Sequence, residues 1–249
     1  MCFDTDSAPP IRVLAGAAVS HDELTLTAAD GNRFRAFAAT PDAPATTGVV
    51  IYPDVRGLYR FYEELALRFA ERGVAAVAFD YFGRTAGDEP RGDDFEHGPR
   101  VDRTTDDGVQ ADARAAIQHL RGLGVDSVFS VGFCFGGRAA WVAAASGHGL
   151  AGAIGFYGSP TRERGGPSVI AHVASIDCPI LALQAGDDAG ITAEDNATFD
   201  AALTAAGVEH EIVVYDGAPH SFFDRKQSEF AQASEDAWSR ALAFIDEHA

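Results

Sequence analysis

Cys134 is the residue whose surroundings point most directly to chemistry. It lies in VGFCFGG (131–137), where an apolar, strand-like run ends and glycines surround one reactive side chain. Gly132, Gly136 and Gly137 supply the crowded positions of a tight strand-to-helix turn, which raises its central residue above the end of a strand. The first amides and the positive end of the next helix would favour a thiolate there. The pattern indicates a cysteine nucleophile for acyl transfer; the alternative is a small apolar side chain packed in a turn.

Such a nucleophile needs a base to accept its proton and an acid to orient that base. His220 follows the apolar run EIVVYD, and Asp187 and Asp188 follow the run PILALQAG. The chain order of Cys134, an aspartate and His220 is one in which catalytic triads are known to occur. The residues alone leave either aspartate open as the acid.

Further residues could complete a site around these three. The oxyanion of a tetrahedral intermediate needs hydrogen-bond donors. We expect them to be the amide of Phe135, directly after the cysteine, and that of Val55, in the loop PDVRGL after the run GVVIY. Among the other histidines, His97 and His172 are the two that could reach the site from long loops. We interpret the remaining ones as structural or exposed.

The elements that must position these residues follow from hydrophobic periodicity. Residues 23–39 alternate in polarity on either side of Asp30-Gly31-Asn32, which predicts an antiparallel hairpin. Continuous apolar runs then alternate with stretches of helical period. The predicted strands are 48–52, 74–79, 127–133, 151–157, 179–186 and 211–216, and the predicted helices are 58–69, 109–120, 136–145, 193–206 and 230–245.

This alternation predicts an α/β fold with a mostly parallel sheet, helices on both faces, right-handed crossovers and the N-terminal antiparallel hairpin at one edge. In such sheets ligands bind beyond the carboxyl ends of the strands. Cys134, the acid and His220 all follow strands and should therefore meet at that edge. We expect a short tail at 1–10 and one domain over 11–249.

Composition limits the class of protein. The chain has 249 residues, is 47% hydrophobic and carries a formal charge of −18, which is typical of a globular enzyme and makes nucleic acid and anionic membranes poor partners. No run reaches the roughly 18 apolar residues of a membrane helix, and the amino terminus lacks the features of a secretory signal.

Three widely spaced cysteines favour a reducing cytoplasm. Cys2 is interpreted as incidental, Cys178 as a core residue and 84–107 as a long polar surface loop.

GFCFGG, together with GDD and PHSFFDR downstream, resembles the dienelactone hydrolase family of α/β-hydrolases from the hairpin onward. The resemblance implies a single-domain α/β-hydrolase fold. It also implies a catalytic triad in which Cys134 is the nucleophile, Asp188 the acid and His220 the base.

The resemblance implies roles for three more side chains. Asp54 matches an acidic residue, a glutamate in the family, that interacts with the resting thiol; its other possible role is to cap the following helix. Arg84, in YFGR, matches the first of two arginines that bind the substrate carboxylate. The second is expected four residues after the catalytic histidine, but here it comes one residue later, as Arg225. Arg56 and Arg60 are the alternatives.

From the resemblance we expect a hydrolase that cleaves a lactone or an activated ester, a small molecule that carries a carboxylate, through a cysteine nucleophile. No metal or organic cofactor is implied, and the protein would be a monomer or a homodimer. One alternative is a general carboxylesterase or thioesterase without a carboxylate requirement. Another is a catalytically silent binding protein on the same fold.

Overall fold

The computed structural model describes residues 6–91 and 94–249, so Cys2 lies outside the described residues. The strands are β1 (Val19–Thr27), β2 (Arg33–Pro41), β3 (Thr47–Tyr52), β4 (Ala75–Phe79), β5 (Ser127–Phe133), β6 (Gly152–Phe156), β7 (Ile180–Asp187) and β8 (His210–Pro219). The α-helices are α1 (Arg60–Ala70), α2 (Gly83–Ala86), α3 (Gly98–Val101), α4 (Asp106–Gly122), α5 (Phe135–Ala144), α6 (Ala193–Ala206) and α7 (Ala231–His248).

The strands form one eight-stranded sheet in the order β1-β2-β4-β3-β5-β6-β7-β8. β1 and β2 are the predicted antiparallel hairpin, β2 pairs antiparallel with β4, and all later pairings are parallel. Helices α4, α5 and α6 pack on one face, while α1 and α7 pack on the other. The central strands are buried on both faces, which explains their uninterrupted apolar sequences. The predicted fold class is confirmed.

Helix α4 begins three residues before the predicted start at Val109. The hydroxyl of Thr105 accepts a hydrogen bond from the amide of Gly108 at 3.2 Å, and two acidic residues occupy the first turn. Both features stabilise the amino-terminal end of a helix, and hydrophobic periodicity does not reveal them. The described part of the 84–107 loop is mainly irregular, with the short helix α3 and most of α2 within it.

Two further segments pack against the sheet or its loops although they lie outside the predicted elements. Residues 157–179 connect β6 to β7 and contain a 3₁₀-helix at Val169–Ser175. Near the amino terminus, Ser7 and Ala8 are buried. The Ser7 hydroxyl donates to the Asp224 carboxylate at 2.6 Å, so this segment is fixed against the loop that follows β8.

Candidate active site

Cys134 forms the turn between β5 and α5 in a conformation that residues other than glycine rarely adopt. Its φ is 55° and its ψ is −112°, and its amide donates to the carbonyl of Phe156 at 3.0 Å. Glycine makes the turn possible. A Cβ on Gly132 would lie 1.9 Å from the carbonyl oxygen of Gly136, and a Cβ on Gly136 would lie 2.0 Å from that of Tyr52. The chain therefore has a strained strand-to-helix turn at its candidate nucleophile.

The pairing of β7 with β8 places Asp188 beside His220. Asp187 is the register partner of Pro219, so the next residue of each strand leaves the sheet at the same edge. Nδ1 of His220 lies 2.5 Å from Oδ2 of Asp188. An ionised carboxylate can only accept, so Nδ1 carries the proton and Nε2 is the basic nitrogen of the neutral ring. Asp187 itself is exposed.

The environment of Asp188 favours its charged form. Burial alone would raise its pKa, and the carboxylate is only 5% exposed. The hydrogen bond and charge of His220, with the amides of Gly190 and Ile191, outweigh burial and hold the pKa below its ordinary value. Asp188 is thus ionised at neutral pH and can stabilise a protonated imidazole ring.

One cavity brings the candidate residues together. Its inner part, about 70 Å³ in volume, is lined by Cys134, Asp188 and His220 and also by Phe135 and Val55. It opens into a groove of about 780 Å³ in which four of these residues recur. The inner part has room for a reacting group, and the groove has the size of a typical small-molecule site.

Asp54 is buried and does not line this cavity, although the next residue, Val55, does. Burial raises its pKa to about 6, although the amide of Arg56 donates to one of its carboxylate oxygens at 2.9 Å and the hydroxyl of Tyr59 to the other at 3.2 Å. Asp54 does not cap α1, whose N-cap is Tyr59. The charge of Asp54 nevertheless acts on a residue of the cavity wall. Tyr157 lines the inner part, and its pKa is raised by burial and then by the charges of Cys134 and Asp54.

The sequence matches the model of the dienelactone hydrolase family over residues 34–249. The chain belongs to the dienelactone hydrolase family. A relative from Escherichia coli (strain K12), named "Putative carboxymethylenebutenolidase", is 30% identical over 232 residues, which cover 88% of this chain and 84% of that protein. Family membership, as the resemblance implied, is confirmed, and the chain is a dienelactone hydrolase-like hydrolase.

Solved structures agree with the fold of the dienelactone hydrolase family. A structure titled as a "Putative Dienelactone Hydrolase" from Klebsiella pneumoniae subsp. pneumoniae MGH 78578 has a TM-score of 0.80 and 26% identity, covering 92% of this chain and 99% of that chain. A dienelactone hydrolase-like promiscuous phosphotriesterase from metagenomic libraries has a TM-score of 0.76 and 23% identity, covering 94% and 99%. The second likeness concerns the fold alone.

The structure does not bring the two expected carboxylate-binding arginines of the family to the cavity. The guanidinium of Arg84 donates to the buried carboxylate of Asp112 at 2.8 Å and to that of Asp30 at 2.5 Å. Arg225 is exposed, and its guanidinium donates to the carbonyl oxygen of Asp6 at 3.4 Å. Neither arginine lines the inner cavity or the groove. Because Arg84 neutralises a buried acid on α4, its guanidinium is already occupied in a structural ion pair.

Other arginines line the cavity instead. Arg138, Arg162 and Arg164 border its inner part, and we did not predict them from the sequence. Arg162 and Arg164 belong to TRERGG, which follows the apolar run of β6. A polar stretch after a parallel strand lies at the binding edge of the sheet, and that position is the signal that could have revealed them. The alternatives Arg56 and Arg60 line a different cavity.

Most of the other histidines and cysteines lie away from this cavity. His97 lines the outer groove, as its loop position allowed, whereas His172 borders a separate pocket. His148 is buried, and burial lowers its pKa to about 4. Cys178 is a core residue, as predicted, and burial raises its pKa to about 12. Within the described part of the chain, no helix is long and apolar enough to cross a membrane.

Proposed function

We propose that this member of the dienelactone hydrolase family hydrolyses a lactone or an activated carboxylic ester through a thioester on Cys134. One observation carries the proposal. Cys134, at a strained turn, shares a small cavity with His220, whose Nδ1 donates to the ionised carboxylate of Asp188. Nucleophile, base and orienting acid are the three groups that covalent acyl transfer requires.

In the first half of the reaction, the thiol proton of Cys134 passes to Nε2 of His220, and the thiolate attacks the ester carbonyl. Asp188 stabilises the imidazolium that results. The tetrahedral oxyanion is bound by the amides of Phe135 and Val55. When it collapses, the C–O bond of the ester breaks and a thioester remains. An alkoxide takes the imidazolium proton as it leaves, whereas a stabilised enolate leaves unprotonated and the imidazolium then releases its proton to solvent, so His220 is neutral again in both cases.

In the second half, neutral His220 removes a proton from a water molecule that attacks the thioester. The second tetrahedral intermediate releases the carboxylic acid and returns the cysteine to its starting state, so the net change is hydrolysis. Stabilised enolates and phenolates need little proton donation as they leave, whereas the nitrogen of an amide must be protonated. Lactones of enols and activated esters are therefore the substrates that this site suits best. Asp54 does not line the cavity, so direct contact with the thiol is not part of the proposal.

The proposal is tested with the purified protein and its Cys134→Ala and His220→Ala variants. A dienelactone, a neutral activated ester and a thioester are the substrates, and absorbance follows their hydrolysis. We expect Cys134→Ala to lose hydrolysis, and His220→Ala to retain a small acylation whose product mass spectrometry detects as an adduct on Cys134. Full activity of Cys134→Ala would refute the proposal. Absence of hydrolysis in the unmodified protein would favour a binding protein on this fold.

A second candidate function is a general carboxylesterase or thioesterase. It is favoured by the positions of Arg84 and Arg225 outside the cavity, since these were the expected ligands of a substrate carboxylate. Equal or faster hydrolysis of neutral esters than of the dienelactone in the same panel would select this function and leave the triad unchanged.

A further inference from the structure

Two arginines of the segment 159–167, which follows β6, line the cavity. Arg162 and Arg164 border both the inner part and the outer groove, on the same walls as Cys134 and His220. A Cβ added to Gly190 would lie 3.4 Å from a carboxylate oxygen of Asp188 and 3.6 Å from a guanidinium nitrogen of Arg162. Arg162 thus lies on the wall of the cavity beside the catalytic acid.

The guanidinium of Arg162 has no close polar partner among the described residues, and its charge acts at longer range on Asp195, whose pKa it helps to lower after the hydrogen bonds of Thr161 and Thr192. The Arg162 guanidinium makes no ion pair or hydrogen bond with any residue of 6–91 or 94–249, and the side chain is exposed. Arg164 makes one loose ion pair, 3.4 Å to Asp102, whose carboxylate is 74% exposed. Exposed pairs of this length contribute little and are readily exchanged for another anion.

Two carboxylates beside the cavity are held by partners other than these arginines, whereas Asp187, which lines the outer groove, is exposed. Asp188 accepts from His220 and from the amide of Gly190. Asp195, at the start of α6, accepts from the hydroxyl of Thr161 at 2.6 Å and from Thr192. In a chain of net charge −18, the two arginines therefore provide positive charge to the cavity itself.

Buried Arg138 fixes the backbone that carries the two arginines. Its guanidinium donates to both carboxylate oxygens of Asp106 at 2.7 and 2.8 Å and to the carbonyls of Arg162 and Pro167 at 3.1 and 2.6 Å. The amide of Asp106 donates to the carbonyl of Gly165 at 3.0 Å. A loop held at several points lowers the entropy cost of binding at its side chains.

We infer that Arg162, with Arg164, forms an anion subsite that binds a carboxylate carried by the ester or lactone substrate. The inference rests on the proposed function, because it names the substrate class of the same cavity. It replaces the role expected for Arg84 and Arg225. A guanidinium can bind a carboxylate through two parallel hydrogen bonds, so the subsite would fix the orientation of the substrate carbonyl relative to Cys134.

The test compares pairs of esters that differ in one negative charge. The first pair is the 4-nitrophenyl monoester of succinic acid and its neutral isostere, 4-nitrophenyl 4-methylpentanoate; the second is 4-acetoxybenzoate and its methyl ester. The carboxylate lies on the acyl side in the first pair and on the leaving group in the second. The measured quantity is the ratio of kcat/KM for the charged ester to kcat/KM for the neutral one.

We expect Arg162→Gln to lower this ratio about tenfold for at least one pair, which corresponds to one charge-assisted contact of about 1.4 kcal/mol. Arg162→Lys should restore part of the ratio, and Arg164→Gln should lower it less. Arg240→Gln is the matched control, since Arg240 is a surface arginine on α7 that pairs with Asp236. It removes the same charge far from the cavity, and its ratio should stay within about twofold of the unmodified protein.

Ratios that are unchanged in Arg162→Gln and Arg164→Gln, while hydrolysis still depends on Cys134, would overturn the inference and leave the proposed function in place. A ratio that falls in Arg84→Gln instead would return the subsite to the position that the family resemblance implied. Absence of Cys134-dependent hydrolysis of all four esters would refute the proposed function itself. Should Arg162→Gln fail to fold, the Arg162→Lys and Arg164→Gln ratios decide.

Discussion

The buried carboxyl group of Asp54 allows a stability test whose sign and pH range follow from the structure. Burial raises its pKa to about 6 against the opposing effects of Arg56 and Tyr59, whereas an aspartate in an unfolded chain titrates near pH 3.9. The folded state therefore binds the proton more tightly than the unfolded state does. The stability from this group is fully present below about pH 4 and is lost as the pH rises through about 6. One pKa unit corresponds to about 1.4 kcal/mol, so the loss between pH 4 and 7.5 is about 2 to 3 kcal/mol.

Asp54→Asn removes this titration and retains an oxygen that can accept from the amide of Arg56. The assay is urea unfolding of both proteins at several pH values between 4 and 7.5. We expect the free energy of unfolding of the variant, relative to the unmodified protein, to rise by about 2 to 3 kcal/mol over this range. Asp246→Asn, which changes an exposed carboxylate on α7, should show a difference that varies by less than about 0.5 kcal/mol. A flat difference for Asp54→Asn, or one that rises toward acid pH, would refute the reasoning.

Three further predictions concern the site and its supports. Asp188→Asn should lower kcat/KM for an activated ester by roughly 10³-fold or more, because the neutral amide no longer stabilises the imidazolium; a loss of less than tenfold in steady-state kinetics would contradict the role of this carboxylate. Arg84→Gln should lower the free energy of unfolding at pH 8 by about 3 kcal/mol, since it leaves the buried carboxylate of Asp112 without its cation. Urea titration measures this change, and a value below about 1 kcal/mol would show that the Arg84–Asp112 ion pair does not stabilise the fold. Gly136→Ala should yield little folded protein, because its Cβ would lie 2.0 Å from a backbone oxygen. Gly122→Ala is the control: no atom lies within 4 Å of the added Cβ, so its unfolding midpoint should stay the same or rise. Equal unfolding midpoints for the two variants would contradict the tight turn.

Local patterns in the sequence were enough to predict the fold. Strands buried on both faces have continuous apolar sequences, and helices have a 3.6-residue period, so the alternation of the two predicts a parallel sheet with crossovers. The turn at Cys134 could also be predicted, because only glycine tolerates the close backbone approaches on either side of it. These features depend on residues near one another in the chain.

The parts of the site that the sequence did not decide depend on contacts between distant segments. The residues alone left Asp187 and Asp188 as alternatives, and the register of β7 against β8 determines that Asp188 reaches His220. Sequence position likewise could not show that Arg84 pairs with a carboxylate on α4.

The sequence by itself determined the main strands and helices, their order along the chain and the edge of the sheet where the candidate site lies, because periodicity and turn residues are local properties. Only the tertiary structure decided which charged side chains neutralise one another and which remain facing the cavity. Arg84 pairs with Asp112, 28 residues away in sequence, whereas Arg162 lines the cavity on a loop whose backbone is held by Arg138 of α5. Ion pairs act over a few ångströms, and those distances are set by how the segments pack rather than by their spacing along the chain.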